Sequence, residues 1–432
     1  MKATLAAFAL ACLAQGAVPA PRADSSGSAD GGKTFSLSQI QNGLFQGHDA
    51  PVAFLKAHIK YAQALPPQLS RAIELNLDLK SKFLALTLQQ AWLTRTADGP
   101  QKGTVKASAA RNYDSEYVVP VQIGTPGQTI PMSLDTGSSD LWTFSSETYK
   151  PLVNKQSLYS PGNSSTSVLL KGESWHIRYG DGGGASGIVY KDRVQIGATH
   201  VDCQAVQAAV QVSQDISLDS FSSGILGMAS STANTIRPTP QRTYIDNVKD
   251  DLALPLFTAN LLKGRAGNYN FGYIDSSEYT GSIQYAELDR FSPFWKVSMS
   301  GYQVGDDDYE QYRWNGIVDT GTSLLLAPDE VVQSYYDQVP GSGMDERMGM
   351  MVYPCSTRPP DFRFGVGSYR GVVPGEYINY GQVNGTHCFG GIQTSRGIGF
   401  AVLGDVLLKA QFVVFDYGSA LVGFANKDLG GK

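Results

Sequence analysis

The chain has 432 residues, 42% of them apolar and 17% charged, with a formal net charge of −5. That length exceeds one minimal domain and suits two core-bearing lobes, and so large an apolar share excludes global disorder. The charge is unevenly spread: residues 21–110 hold ten basic and six acidic side chains, whereas residues 111–432 hold 23 and 33. An acidic body lacks the basic face that nucleic acid requires, and a basic leader on an acidic body suits electrostatic docking of one on the other.

Residues 1–20 begin with Lys2, run apolar from Ala3 to Leu13 and end in small residues at Ala14, Gly16, Ala17 and Ala20. The run is too short to span a bilayer and reads as a secretory signal peptide, so secretion is expected, to the medium or to a vacuole. No later run is long enough to cross a membrane, and residues 428–432 lack the apolar tail of a lipid-anchor signal, so no membrane association is expected. Between 51 and 95 apolar residues recur at helical spacing, first at Val52, Phe54, Leu55, Ile59 and Ala62, then at Leu75, Leu77, Leu79, Phe83, Leu84 and Leu86. A partly helical leader is predicted there. Residues 96–111 are polar and poor in predicted structure, which makes them the expected place for cleavage.

From about Tyr113 the pattern switches to strands. Residues 117–123 read as one, ending at the turn Gly124-Thr125-Pro126-Gly127. Residues 174–179 alternate and meet the glycine-rich hairpin tip Gly180-Asp181-Gly182-Gly183-Gly184. The clearest helix covers 328–339, with proline and two acids in its first turn and Val331, Val332, Tyr335 and Tyr336 on one side. Residues 411–415 are a buried-strand candidate. With 47 glycines and abundant Tyr, Phe, Val, Ser and Thr, the whole reads as an all-β fold with few short helices.

Cys12 falls within the signal, Cys203 stands alone, and Cys355 and Cys388 lie 33 residues apart in a loop-rich stretch where a disulfide would staple a loop. Sequons at Asn163 and Asn384 sit in turn-like surroundings and mark candidate glycosylation sites. The five histidines are scattered, the cysteines fit no zinc spacing, and Asp306-Asp307-Asp308 lacks the calcium-loop pattern. There is no phosphate-binding loop and no Gly-x-Ser-x-Gly elbow. Neither a metal nor a cofactor is expected.

An internal repeat carries the chemistry. Asp135-Thr136-Gly137-Ser138-Ser139 recurs 184 residues later as Asp319-Thr320-Gly321-Thr322-Ser323, each after an apolar stretch. Each is followed at similar distance by an apolar pair and a glycine, Ile225-Leu226-Gly227 and Val402-Leu403-Gly404. One Asp-Thr-Gly is usually a turn. Two copies with matching strands before and after point to two lobes of one plan, facing each other across a cleft. Glycine lets the backbone approach a carboxylate and offer its N–H, the threonine hydroxyl is short enough to bond to the partner loop, and Ser138 and Thr322 can reach the outer carboxylate oxygens. Two carboxylates about 3 Å apart repel by roughly 5 kcal/mol at an effective dielectric near 20, so one proton is held between them over a wide acidic range. One can then activate a water while its protonated partner polarises a carbonyl.

These motifs resemble the pepsin-like aspartic proteases, of the fungal penicillopepsin and aspergillopepsin type. The resemblance covers residues 112–432: the two active-site loops with Asp140, Leu141 and Trp142, a flap over 175–187, and a C-terminal block over 403–424. It implies a bilobal pepsin-like fold, with the N-terminal lobe at 111–300, the C-terminal lobe at 301–432, and an inhibitory prosegment at 21–110. It further implies hydrolysis of internal peptide bonds beside large apolar residues in acid, by Asp135 and Asp319. Gly137, Gly180, Asp181, Gly321 and Thr322 would bind substrate, as would Tyr179, the flap tyrosine, bonded to Trp142. Thr136, Ser138 and Thr320 would support the pair. An aspartate at position 181 is associated in fungal relatives with acceptance of lysine beside the scissile bond. Cys355–Cys388 matches the family disulfide, and Lys60-Tyr61 resembles the pair that fills the dyad in zymogens. The implied partners are polypeptide substrates and the chain's own prosegment, on a monomer. Gly183 and Ser223 depart from the family pattern. A catalytically silent binding protein on this scaffold would usually lack an aspartate or the flap tyrosine, and paired-carboxylate glycoside hydrolysis would need its acids about 5–10 Å apart.

Overall fold

The computed structural model describes residues 32–40, 49–62, 64–87, 117–178 and 184–429. The signal stretch 1–20, the expected cleavage region 96–111 and the hairpin tip 179–183 lie outside the described residues.

The leader contributes a strand that its sequence did not announce. β1 (Phe35–Ser38) pairs antiparallel with residues 268–271, and Phe35 stacks on Phe271 with ring centroids 4.6 Å apart. The helical stretch breaks into α1 (Ala50–Tyr61), α2 (Pro67–Leu75) and α3 (Leu77–Thr87). Asp49 caps α1 by accepting from the Val52 N–H, Pro66-Pro67 separates α1 from α2, and the Asn76 side chain accepts from Asp78 and Leu79 to start α3. That break turns Leu75 and Leu77 outward, although the spacing predicts them on an apolar face; Leu69, Ile73 and Leu79 are the buried ones. On α1 the buried stripe is Phe54, Leu55, Ala57 and His58, with Val52 and Ile59 only half-buried.

The body is mostly strand with few short helices, as expected. Its first half forms one seven-stranded sheet from β2 (Val118–Ile123), β3 (Gln128–Asp135), β4 (Leu141–Phe144), β5 (Val168–Arg178), β6 (Gly184–Ile196), β7 (Thr199–Val212) and β8 (Gly224–Gly227), in the order β2-β3-β8-β4-β7-β6-β5. β3 runs parallel to β8, with Leu134 opposite Leu226, and β4 runs antiparallel to β8 and parallel to β7. The second half repeats this wiring. Trp314–Val318 runs parallel to Ala401–Leu403, with Ile317 opposite Val402, and Leu325–Ala327 runs antiparallel to that strand and parallel to Ile392–Thr394.

A six-stranded antiparallel sheet draws on all parts of the chain. Its order is β1, β10 (Arg265–Phe271), β9 (Leu256–Leu262), Gln411–Asp416, Leu421–Asn426 and Thr280–Glu287. Phe257 joins its rows, stacking on Phe415 at 4.6 Å and packing near Trp295. α4 (Asp329–Asp337) starts after Pro328 and buries Val331, Val332, Tyr335 and Tyr336, the face its sequence predicts.

Candidate active site

The repeated wiring brings the two Asp-Thr-Gly loops together. Asp135 ends β3 and Asp319 follows Trp314–Val318, so each is presented at the end of a buried parallel strand. The threonines cross between the loops. Thr136 N–H donates to Thr320 Oγ1 at 3.1 Å and Thr320 N–H to Thr136 Oγ1 at 3.0 Å, while their hydroxyls donate to the carbonyls of Val318 (2.8 Å) and Leu134 (2.6 Å). This arrangement is nearly symmetric, fully buried, and fixes one loop against the other.

The glycines are required by close approach. A side chain on Gly321 would overlap the Asp135 carboxylate, and a Cβ on Gly137 would lie 2.5 Å from Asp319 Oδ1. Each instead offers its N–H, Gly137 to Asp135 Oδ1 and Gly321 to Asp319 Oδ1, both at 2.8 Å. The signature glycines behind them, Gly227 and Gly404, pack so tightly on the backbone of 138–140 and 322–324 that a Cβ would clash.

The carboxylates share one cation. Lys60, in the last turn of α1, places Nζ 3.1 and 3.3 Å from the two Asp135 oxygens and 3.4 and 3.2 Å from those of Asp319. Next to it the Tyr61 hydroxyl donates to Asp319 Oδ2 at 2.6 Å, and its ring meets Phe294 and Phe400 edge-on. Thr322 Oγ1 donates to the same Asp319 oxygen. Burial pushes both carboxyls up. At Asp135 burial outweighs the pull of Lys60, and the neighbouring Asp319 adds to the rise. At Asp319 the Lys60 ammonium and the Thr322 and Tyr61 hydroxyls win, holding it below the ordinary carboxylate range. For Lys60 the two carboxylates outweigh burial, so the ammonium stays charged.

The remaining predicted residues sort unevenly. Tyr179, Gly180 and Asp181 lie outside the described residues, and so does the expected Tyr179–Trp142 contact. Trp142 is buried and stacks on Trp175 at 5.9 Å. Ser138 breaks the symmetry with Thr322. It lies close enough to Asp135 to favour the ionised carboxyl, but its buried Oγ completes no hydrogen bond. Cys355 and Cys388 form the expected disulfide, with Cα atoms 5.0 Å apart. Cys203 is buried within β7. Asn163 and Asn384 are both exposed, and Asn384 Oδ1 accepts from the N–H and hydroxyl of Thr386. Ser223 serves the backbone, its hydroxyl accepting from Ser157 N–H and its carbonyl from Thr143 and Phe144. The described residues hold no cluster able to bind a metal.

Two roles escaped the sequence reading. Asp140, inside the first motif, is a buried anchor whose Oδ1 accepts from Asn234, the Thr235 N–H and the Thr235 hydroxyl, tying the loop to residues 94 and 95 positions away. Phe294 and Phe400 are distant in sequence, and only the edge-on contact of both with the Tyr61 ring brings them to the site.

A β-rich body of two repeated halves, holding a crossed pair of buried aspartates, is the architecture of an aspartic peptidase. The description "Eukaryotic aspartyl protease" matches residues 116–427. The chain is 42% identical over 396 residues to endothiapepsin of Cryphonectria parasitica, covering 91% of this chain and 90% of that one. It is 40% identical over 395 residues to aspergillopepsin-1 of Aspergillus pseudoglaucus (91% and 93% covered). It is 46% identical over 312 residues to penicillopepsin-1 of Talaromyces stipitatus (72% and 78%). In fold it is similar to the aspartic proteinase from Irpex lacteus, with a TM-score of 0.61 at 22% identity, covering 73% of this chain and 95% of that one. The chain belongs to the eukaryotic aspartyl protease family and is a peptide-bond hydrolase.

Proposed function

We propose that this protein is a secreted aspartic endopeptidase made as a zymogen, in which Asp135 and Asp319 jointly activate the attacking water. The parts are a signal peptide at 1–20, an inhibitory prosegment at 21–110, an N-terminal lobe at 111–300 and a C-terminal lobe at 301–432. The observation that carries this reading is the single ammonium of Lys60 within 3.4 Å of all four dyad oxygens. It occupies the space where a water and a scissile carbonyl would sit.

Once the leader leaves, the dyad retains one proton. The ionised aspartate takes a proton from water as the oxygen attacks the carbonyl carbon, and the protonated aspartate gives its proton to the carbonyl oxygen. In the tetrahedral diol so formed one hydroxyl returns its proton to the ionised aspartate as the C–N bond breaks, and the departing nitrogen takes the proton of the other aspartate, leaving a carboxylic acid, an amine and a dyad that again holds one proton. Which aspartate starts protonated is a property of the coupled pair. Thr322 and the Gly137 and Gly321 N–H groups hold the carboxylates for this exchange, and Tyr179, Gly180 and Asp181 would close over an extended substrate. Tyr61 against Phe294 and Phe400 supports a preference for a large apolar side chain beside the scissile bond. Asp181 would additionally admit lysine, whose ammonium it can pair.

The test is proteolysis of denatured haemoglobin or casein across pH 2–7 by the secreted protein, with and without a pepstatin-type mimic that carries a hydroxyl at the attacked position. Acid-dependent cleavage blocked by the mimic, with loss of a leader fragment, is expected. A processed, folded protein that cleaves nothing would refute the reading.

A further inference from the structure

Lys60 is not the only titratable leader residue buried against the body. His58, two residues earlier, is fully buried on the inner face of α1. Its Nδ1 lies 3.2 Å from the Phe54 carbonyl, so in the neutral ring Nδ1–H donates there and Nε2 keeps its lone pair. Among the described residues no hydrogen-bond partner meets Nε2. The Phe54 ring packs edge-on at 4.4 Å, and the body contributes the Thr394 carbonyl, which lies near the ring without completing a bond. The same body segment packs against the exit of α1, where Gly397 leaves no room for a side chain beside the Ala64 carbonyl.

The charged groups around this site are committed elsewhere. Lys60 pairs with the dyad, Asp49 at the start of α1 pairs with Lys82 of α3, and Asp78 pairs with the same lysine. Asp329 of α4 pairs with Arg396 beside Thr394, and Arg71 and Glu74 of α2 are exposed. Among the described residues no carboxylate acts on the ring; the influences upon it are burial and the Phe54 and Thr394 carbonyls.

We propose that His58 is a proton sensor for leader release: a proton on its ring is incompatible with the docked leader, so acid loosens the leader here independently of Lys60. The inference rests on the zymogen reading above. Burial lowers the docked ring to about 4 and outweighs both carbonyls, whereas the undocked ring titrates near 6.5. The sign follows from linkage. The docked state binds the proton less well, so docking is at full strength above pH 6.5, weakens as pH falls below that value, and stops weakening near pH 4. A difference of this size weakens docking by roughly 300-fold. This loosening is separate from proton uptake at the dyad, where Asp135 stands above and Asp319 below the ordinary carboxylate value, so His58 weakens docking through a group apart from the Lys60 ion pairs.

The experiment follows hydrogen exchange of residues 50–61 in the full-length precursor from pH 7 to 3.5, corrected for intrinsic exchange, in wild type and His58→Gln. Wild type should lose protection with a midpoint at least one pH unit above that of the variant, with equal protection at pH 7. Coincident midpoints would refute the sensor while leaving the zymogen reading intact. A wild-type leader still protected at pH 3.5 would refute both. Should His58→Gln fold poorly, imidazole NMR of the wild-type precursor decides: the ring should stay neutral at pH 5, and titration near 6.5 with the leader docked would overturn the proposal.

Discussion

Asp135 and Asp319 sit where burial alone would neutralise both, and the groups that keep one of them ionised are identifiable. Asp319 has the Gly321 N–H, the Thr322 hydroxyl, the Tyr61 hydroxyl and half of Lys60. Replacing either aspartate with asparagine leaves the volume but removes the exchangeable proton. Peptidase activity should fall by roughly a thousand-fold or more, with an unchanged circular dichroism spectrum; retained activity in either variant would sink the assignment. Lys60 acts at the same scale with a defined pH sign. Docking holds Asp319 below its ordinary value, so this ion pair stabilises the docked leader above that value and is lost as pH falls through the docked one. Lys60→Met leaves two buried carboxylates without their cation. Leader docking at pH 6 should weaken by about 3 kcal/mol, read as tighter binding of a transition-state mimic to the precursor. Identical inhibitor affinity in wild type and variant would contradict this.

At the scale of elements, the crossed threonines turn two loops into one site. Thr320 accepts from Thr136 N–H and donates to the Leu134 carbonyl, both buried. Thr320→Val keeps the shape and leaves these two groups unpaired, which should cost about 2–4 kcal/mol and lower the unfolding temperature of the processed enzyme. Thr320→Ser, which keeps the hydroxyl, should recover most of the loss. An unfolding temperature unchanged in Thr320→Val would mean that the loops are held by strand packing alone. The parallel pairs β3–β8 and Trp314–Val318 with Ala401–Leu403 set the backbone on which the threonines cross, since each aspartate's position follows from its strand's register.

At the scale of the whole molecule, the leader is part of the fold. β1 lengthens the six-stranded sheet, and Phe54, Leu55, Leu69 and Ile73 join the same buried cluster as Phe257, Trp295 and Leu326. A chain lacking residues 21–110 must form that sheet with β10 as an open edge and with apolar surface uncovered. Refolding of such a chain should yield several-fold less active enzyme than refolding and processing of the precursor, measured by active-site titration. Equal yields would assign the leader an inhibitory role alone.

Much of this was legible in one dimension. The repeated Asp-Thr-Gly, the trailing apolar-apolar-glycine signatures, the α4 face and the Cys355–Cys388 pair follow from local patterns, because each depends on residues close in sequence or on a repeat that can be aligned with itself. The break of the leader at Asn76, the strand β1 and the burial of His58 did not follow. Leu75 and Leu77 carry a helical apolar spacing, and His58 lies among residues that mark no buried site. What the sequence determined by itself was the chemistry, two carboxylates on mirrored loops in a β-rich chain. What only the tertiary structure decided was which distant groups surround them: Lys60 within reach of all four oxygens, Tyr61 between Phe294 and Phe400, and His58 sealed against Thr394. Those contacts depend on long-range packing of the leader on the body, and burial, which bears on every pKa shift at the site, is a property of that packing and of no single segment.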